Sequence, residues 1–270
     1  MGRSGIGKAW IWVRRIARYA LIAATVGFAC VAYTWLLLPD VRPLRTQRPT
    51  TTAFMNLRAS QARDAGKKPR EVHRWVSYDQ ISPSLKRAVL VTEDAGFWGH
   101  DGIDLNEIRA SIEINWMRGE MLRGGSTITQ QLAKNLYLSP TRNPYRKVVE
   151  LMITRRLEAE LSKGRIFELY LNMIEWGDGV WGAEAAARTY FGSSAASLTS
   201  SQAALLAGAI INPRIYSPAR PNARLLRRQQ IILGRMGSVT PPSAPAPTPP
   251  VPTFDVPVGG AILPGKGGGQ

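Results

Sequence analysis

Hydrogen-bonding side chains crowd into one short segment, Gly124 to Leu138, which reads GGSTITQQLAKNLYL. Its polar members are Ser126, Thr127, Thr129, Gln130, Gln131, Lys134 and Asn135. The two glycines allow a ligand to approach the backbone, and the free N–H groups at a helix start favour anions. The segment therefore predicts a site for a polar, anionic ligand.

The spacing within this segment predicts a helix that begins near Thr127. The sequence Thr127-Ile-Thr-Gln130 has the form of a capping box, in which two side chains satisfy free N–H groups. At about 100° per residue, Ile128 and Leu132 lie on an apolar side. Thr127, Gln130 and Lys134 share a compact polar side. A solvated helix face is the alternative interpretation, although such a face usually carries charged residues.

Two carboxylates lie in apolar stripes, where a charge needs a partner or a function. Glu93 lies at the edge of one stripe. Glu150 shares a helical face with Ile153 and follows one turn after Arg146. A carboxylate that points inward needs a cation, hydrogen bonds or a functional reason. A structural ion pair between Arg146 and Glu150 is the alternative to a catalytic role.

The segment EDAGFWGHDGID places one histidine and several carboxylates near Glu93. These residues are Asp94, His100, Asp101 and Asp104. Clusters of histidine and aspartate can bind metal ions, but this spacing matches no standard zinc pattern. A lone histidine is more often a residue that orients its neighbours through hydrogen bonds.

The elements that position these residues are mainly helical between residues 71 and 236. Apolar residues follow helical spacing at Ile166, Leu169, Tyr170, Met173 and Ile174. Residues 201–211 are nearly all apolar and predict a buried helix. Asn222 is the predicted N-cap of a last helix that ends near Met236. The best strand candidate is residues 71–78. The fold class is therefore mainly α.

The N-terminal part of the chain predicts a membrane anchor. Residues 19–38 carry no charge, and this segment is about as long as a helix that crosses the ~30 Å hydrocarbon layer. Residues 1–18 form a basic tail, so the positive-inside rule favours a cytoplasmic N-terminus. A cleaved signal peptide is the alternative, but the apolar stretch exceeds the usual ~7–15 residues and no small-x-small site follows closely.

Charge and composition bound the remaining segments. The net charge of +16 suggests an anionic partner, which could be nucleic acid, a lipid surface or a phosphorylated substrate. The single cysteine, Cys30, excludes an intramolecular disulfide. Residues 39–70 are polar and weakly patterned, and we expect a stalk there. Residues 237–270 are rich in proline and glycine and predict a disordered tail.

Four segments, in this order, resemble the peptidoglycan glycosyltransferase family, the polymerase type of class A penicillin-binding proteins. They read EDAGFWGHDGID, GGSTITQQLAKN, RKVVELMITRRLE and KGRIFELYLNMIEWGDGVWG. No S-x-x-K followed by K-T-G is present, so the resemblance is to the monofunctional biosynthetic peptidoglycan transglycosylases. Ala95-Gly96 is one departure, since relatives often have charged or polar residues there.

The resemblance implies a lysozyme-like helical domain with a small membrane-proximal lobe, preceded by one transmembrane helix. It implies that lipid II is polymerised onto a growing lipid-linked glycan strand, with release of undecaprenyl pyrophosphate. Glu93 is then the general base, and Glu150 is the second acidic residue. Substrate contacts are expected from Asp94, His100, Ser126, Thr127, Gln130, Gln131, Lys134, Asn135, Arg142, Arg146 and Lys147.

The resemblance also implies partners and a location. Arg142, Arg146 and Lys147 are expected at the donor pyrophosphate, where a divalent cation, Mg²⁺ or Mn²⁺, could share the work. Such a cation could also bind near Asp94. The expected partners are lipid II, the glycan strand, membrane lipid and other cell-wall synthesis or division proteins, without nucleic acid. The expected location is the inner membrane, with a single span and a periplasmic catalytic domain.

Two other functions remain open from the sequence. A lysozyme-like lytic transglycosylase, which cleaves glycan, could also place a single glutamate at a helix end. It would not require Lys134, Arg142 and Arg146 around the scissile bond. A non-catalytic membrane scaffold of cell-wall synthesis would not require Glu93 at all.

Overall fold

The computed structural model describes residues 3–118, 125–139 and 143–239. Its α-helices are α1 (Arg3–Leu36), α2 (Ala53–Asp64), α3 (Pro83–Glu93), α4 (Leu105–Arg118), α5 (Ile128–Tyr137), α6 (Pro144–Glu160), α7 (Lys163–Met173), α8 (Ala183–Phe191), α9 (Ser200–Ala209) and α10 (Ala223–Arg235). Short 3₁₀ turns lie at Arg42–Arg45, Tyr78–Gln80, Ala195–Ser197 and Met236–Ser238. The predicted, mainly helical fold class is confirmed.

A small sheet completes the fold. Its strands are β1 (Val72–His73), β2 (Glu175–Gly177) and β3 (Val180–Trp181), in the order β1-β3-β2. β1 is parallel to β3, whereas β2 is antiparallel to it. The strand predicted over residues 71–78 is thus confined to two residues. Beyond them, the Asn172 side chain accepts from the Val76 N–H and donates to the Val76 carbonyl, each at 3.0 Å, in place of a strand partner.

The core lies around α7, which is buried on every side from Gly164 to Met173. A helix without a solvated face is a core helix. α5 packs against α6 and α7, while α3 packs against α9 and α9 against α10. The buried helix predicted at residues 201–211 is confirmed as α9. Asn222 caps α10, because its side chain accepts from the N–H of Leu225 at 2.9 Å.

Part of the segment predicted as a stalk, residues 39–70, instead packs into the folded unit. Val41 is fully buried, and Leu44 and Met55 also belong to the core. Arg165 on α7 donates to the carbonyl of Leu44 at 2.8 Å. The prediction failed because a few inward-facing residues are scattered among many polar ones. Their pattern becomes visible only when the partner surface is known.

Helix α1 contains the predicted anchor. Its part Trp12–Leu36 is long and apolar enough to cross a membrane, and most of it is exposed. The helix begins at Arg3, so the described part of the predicted basic tail is helical. The end of the anchor contacts α6 through three groups. Thr34 bonds to Tyr145 at 3.0 Å, the Arg156 guanidinium lies over the Trp35 ring, and Arg156 donates to the carbonyl of Leu38 at 3.1 Å.

Candidate active site

Glu93 ends α3 at the wall of a cavity of about 530 Å³. Polar groups from four helices and their connections surround it. The lining includes Glu93, Asp94, Asp104, Glu107, Ser126, Thr127, Gln131, Arg228 and Arg235. A cavity of this size can hold one sugar unit with its substituents. The structure therefore brings the predicted base together with the polar segment after Gly125.

The environment of Glu93 suits a proton acceptor. Burial raises the pKa of its carboxyl group, and a hydrogen bond from Gln131 and the positive charges of Arg228 and Lys134 act in the opposite direction. Gln131 Nε2 donates to Glu93 Oε2 at 2.9 Å. A general base works best when its pKa lies closer to the working pH, and the raised pKa moves Glu93 that way.

Asp94 fastens the loop after the base to the start of α5. Its Oδ2 accepts from the N–H of Ile128 at 3.0 Å, and its Oδ1 accepts from His100 Nε2 at 3.0 Å. The N–H of Gly102 donates to His100 Nδ1 at 3.1 Å, so Nδ1 is the acceptor and Nε2 is the nitrogen that donates to Asp94. A carboxylate at a helix N-terminus also interacts favourably with the helix dipole.

The same cluster was the sequence candidate for a metal site. Potential ligand atoms of Asp94, His100 and Asp104 lie within 4.8 Å of one another. Both ring nitrogens of His100 are engaged, and both Asp94 oxygens accept hydrogen bonds. Asp104 Oδ1 accepts from the N–H of Glu107 at the start of α4. These residues therefore fit a hydrogen-bonded brace of the loop better than a metal-ligand set.

The start of α5 confirms the predicted capping box. Thr127 Oγ1 accepts from the N–H of Gln130 at 3.2 Å, and Gln130 Oε1 accepts from the N–H of Thr127 at 3.1 Å. Thr127 also donates to the carbonyl of Gly102 at 2.7 Å. Both side chains are buried, so this part of the predicted polar face makes contacts within the protein. Ser126, in contrast, is exposed and lines the cavity.

Three predicted residues, Lys134 on α5 and Arg146 and Lys147 on α6, form a cationic cluster around Glu150. Glu150 is 3% exposed and pairs with Lys147 and, at 3.5 Å, with Arg146. The structural pair that the sequence left open is therefore present. Burial lowers the pKa of Lys134, and the nearby Glu150 carboxylate raises it. Lys134 lies one turn after Gln131 on α5, so the cluster begins beside the cavity.

Two predicted residues remain to be placed. Asn135 is buried, and its Oδ1 has no hydrogen-bond partner within the described part of the chain. The same holds for Arg146 Nε. Such buried polar atoms usually find a partner, and a bound ligand can supply one. Arg142 lies outside the described residues.

Sequence reasoning missed Arg228 and Arg235, which enter the cavity from α10. They are seven residues apart, so they share one face of the helix. Arg228 Nε donates to the carbonyl of Gly208 at 3.1 Å, which holds its side chain beside α9. In the sequence, the two arginines lie next to the apolar stripe of Leu225 and Ile232, which indicates that they border a buried face of α10. That stripe alone does not indicate which distant helix the arginines meet.

A second cavity, of about 490 Å³, lies where the anchor meets α5 and α6. Leu37 and Leu38 supply the anchor side, and Tyr137 and Val149 line the domain side. Arg146 also lines this cavity. An apolar cavity that begins at the anchor and ends at the cationic cluster can accept a chain whose polar end is anionic.

Comparison with known proteins points to a single family. A family model described as Transglycosylase matches residues 61–237. The biosynthetic peptidoglycan transglycosylase of Chromobacterium violaceum is 45% identical over 221 residues, covering 82% of this chain and 96% of the relative. The protein of the same name from Methylobacillus flagellatus is 51% identical over 188 residues, covering 70% and 82%. That from Nitrosospira multiformis is 43% identical over 235 residues, covering 87% and 99%.

Proposed function

Because the chain belongs to the Transglycosylase family, we propose that it is a membrane-anchored peptidoglycan glycosyltransferase. It polymerises lipid II into glycan strands and releases undecaprenyl pyrophosphate. The observation that carries this proposal is that Gln131 on α5, which donates to the half-buried Glu93 carboxylate, lies one helical turn before Lys134 of the cationic cluster on α5 and α6. The Glu93 carboxylate can activate a sugar hydroxyl, and the cationic cluster can stabilise the pyrophosphate as it leaves.

Glu93 acts as the general base in this mechanism. The acceptor hydroxyl gives its proton to the Glu93 carboxylate as its oxygen attacks the anomeric carbon of the donor. The new glycosidic C–O bond forms while the bond from that carbon to the pyrophosphate oxygen breaks, and the pyrophosphate leaves with the electron pair. The hydrogen bond from Gln131 holds the carboxylate in place.

The cationic cluster stabilises the leaving group. Negative charge grows on the pyrophosphate oxygens in the transition state, so fixed cations at this position lower the barrier. Lys134, Arg146 and Lys147 supply them, and Glu150 orders Arg146 and Lys147 through its ion pairs. Arg142 joins them according to the family resemblance. Contacts of Asp94 and His100 with substrate remain part of the proposal, although both side chains also brace the loop.

The combination of one base with a cationic cluster differs from the active site of a glycan-cleaving enzyme. A glycosidase needs one carboxylic acid and one carboxylate on either side of the scissile bond. Pyrophosphate is already a fair leaving group and needs cations more than a protonated acid. Glu150 forms ion pairs with two cations of the cluster. The cluster therefore favours the polymerase over the lytic transglycosylase.

Incubation of the purified full chain with lipid II tests the proposal. We expect glycan polymer and undecaprenyl pyrophosphate from the wild type. Glu93→Gln should retain the fold and lose about 10²–10⁴-fold in rate, because only the proton acceptor is removed. Glu71→Gln, at an exposed position, is the matched control and should polymerise normally. Cleavage of preformed glycan without polymerisation would support the lytic alternative. Full complementation of a deletion strain by Glu93→Gln would support the scaffold.

The proposed location follows from α1. We infer a single span in the inner membrane, with a cytoplasmic N-terminus and a periplasmic catalytic domain, because the basic residues precede the apolar stretch. Lipid II and membrane lipid then meet the enzyme at the membrane surface, and other cell-wall synthesis or division proteins are its expected partners. A cysteine-labelling experiment tests the topology. In a Cys30→Ser background, Lys67→Cys should react with an impermeant maleimide in permeabilised-outer-membrane cells, whereas Ser4→Cys should react only after lysis.

No step of the proposed mechanism requires a divalent cation. Mg²⁺ or Mn²⁺ would neutralise pyrophosphate charge if bound, but the candidate ligands Asp94, His100 and Asp104 are engaged with one another and with backbone N–H groups. The described side chains supply cations of their own beside the cavity. Residues of this chain therefore carry each step of the proposed mechanism.

A further inference from the structure

The amide of Gln131 lies between the base and a buried tyrosine. Its Nε2 donates to Glu93 Oε2 at 2.9 Å, and its Oε1 accepts from the hydroxyl of Tyr170 at 2.9 Å. Tyr170 is on α7, 39 residues further along the chain, and is 0% exposed. In the sequence it marks only the apolar stripe of that helix. The three side chains form a continuous hydrogen-bonded series from the core to the cavity.

The direction of this series depends on Tyr170. A glutamine amide can rotate by half a turn and exchange its oxygen and nitrogen, with little change in shape. In the observed orientation the amide oxygen is matched by a hydroxyl donor, and the amide N–H groups are left for the carboxylate. The reverse orientation would place the amide oxygen against the Glu93 carboxylate. Burial holds the pKa of the Tyr170 hydroxyl well above its usual range, so it remains a donor throughout the working pH.

Packing fixes the tyrosine ring. It stacks with Phe167, with ring centroids 6.5 Å apart, and Phe167 in turn contacts Phe97 of the loop that follows Glu93. The core therefore sets the position of the hydroxyl. A donor that is held in this way supplies pre-organised support for a catalytic group.

We propose that Tyr170 is a positioning residue, which sets the orientation of the Gln131 amide and through it holds the Glu93 carboxylate for proton transfer. Tyr170 makes no contact with the substrate in this role. It is expected to affect the chemical step and not the binding of lipid II. The inference rests on the proposed function, since it assigns a role within the same reaction.

The test is steady-state polymerisation of lipid II by the full chain in detergent. Tyr170→Phe should lower kcat by about 3–10-fold, the equivalent of one hydrogen bond, with KM within about twofold of wild type. Tyr216→Phe, which removes a hydroxyl from the smaller buried cluster, is the matched control and should leave kcat unchanged. Melting temperatures identify any variant that loses the fold.

A double-mutant cycle separates positioning from general support of the core. If Tyr170 acts through Gln131, Tyr170→Phe should lower kcat less than twofold in a Gln131→Leu background. An equal fall of kcat in both backgrounds would overturn the proposal, and so would an unchanged kcat for Tyr170→Phe. Failure of the wild type to form polymer would instead overturn the proposed function, and this inference with it.

Replacement by unnatural amino acids provides a second route if Tyr170→Phe does not fold. 4-Aminophenylalanine keeps a neutral donor at the same place and should hold kcat within about twofold of wild type. 4-Chlorophenylalanine fills similar space without a donor, and kcat should fall about 3–10-fold. Equal kcat values for the two replacements would overturn the proposal.

Discussion

Asp94 accepts the N–H of Ile128 at 3.0 Å and thereby joins the loop behind the base to the first turn of α5. The two elements meet over 34 residues of sequence separation. One carries Glu93 and the other carries Gln131 and Lys134. This single contact therefore helps to set the distance between the proposed base, Glu93, and Lys134, the proposed cation for the leaving group.

Asp94→Asn should destabilise the protein. The carboxylate accepts two hydrogen bonds, whereas an amide can accept only on its oxygen, so either Ile128 or His100 would face a second donor. An unsatisfied buried group costs about 1–3 kcal/mol, and we expect a loss of that size in the free energy of unfolding. Asp101→Asn on the exposed part of the same loop is the control, with a change below about 0.5 kcal/mol. Chemical unfolding in detergent measures both variants, and equal stability of the two would contradict the brace.

Glu93→Gln should stabilise the protein at neutral pH. Burial raises the pKa of the Glu93 carboxyl in the folded state, so folding favours the protonated form. That contribution is fully present below the unfolded pKa and is lost as the pH rises through the folded pKa. The melting temperature of Glu93→Gln should therefore exceed that of the wild type at pH 7, with a smaller difference at pH 4. Glu71→Gln, which is exposed, should show the same small difference at both pH values.

Lys134→Ala should lower turnover more than it weakens acceptor binding. The pyrophosphate gains charge in the transition state, so a fixed cation contributes more there than in the ground state. By comparison with removed oxyanion donors, a loss of about 10²–10³-fold in kcat is expected. Lys134→Arg should restore it only in part, because the guanidinium is planar and larger.

Lys67→Ala, at an exposed position, is the matched control for Lys134→Ala. Both variants are measured against the wild type at fixed salt. Unchanged turnover of Lys134→Ala would show that Lys134 is an ordinary residue of a helix face and has no role at the leaving group.

A chelator should have little effect on turnover. His100 uses both ring nitrogens, and Asp94 uses both oxygens, in contacts that brace the loop. We expect less than about a twofold change in rate when excess EDTA is added to an assay of enzyme and lipid II that contains Mg²⁺. A large loss that Mg²⁺ or Mn²⁺ restores would show that these side chains rearrange around a cation when substrate binds.

Local signals in the sequence predicted local structure well. The capping box at Thr127 and the cap at Asn222 each depend on residues within one helical turn, and both are present. The inward position of Glu150 followed from helical periodicity in the same way. Short-range hydrogen bonds and a single helix face are set by nearby residues, so the sequence alone predicts them.

Relationships between distant elements could not be predicted in this way. Arg228 reaches the cavity because α10 packs against α9, and Tyr170 meets Gln131 because α7 packs against α5. Val41 and Met55 lie in a polar segment, and only the surface that covers them shows that they belong to the core. A helical wheel shows that Thr127, Gln130 and Lys134 share a face, but not that Thr127 and Gln130 also form hydrogen bonds within the protein.

The contacts between the end of the anchor and α6 limit how far the folded domain can lie from the membrane surface. Thr34 and Trp35 near the end of α1 contact Tyr145 and Arg156 on the same helix that carries Arg146 and Glu150. Because Val41, Leu44 and Met55, which follow the anchor, are packed in the core, the domain lies directly against its anchor. If these cations bind the leaving pyrophosphate as proposed, the anchor holds them at a fixed depth relative to the lipid headgroups.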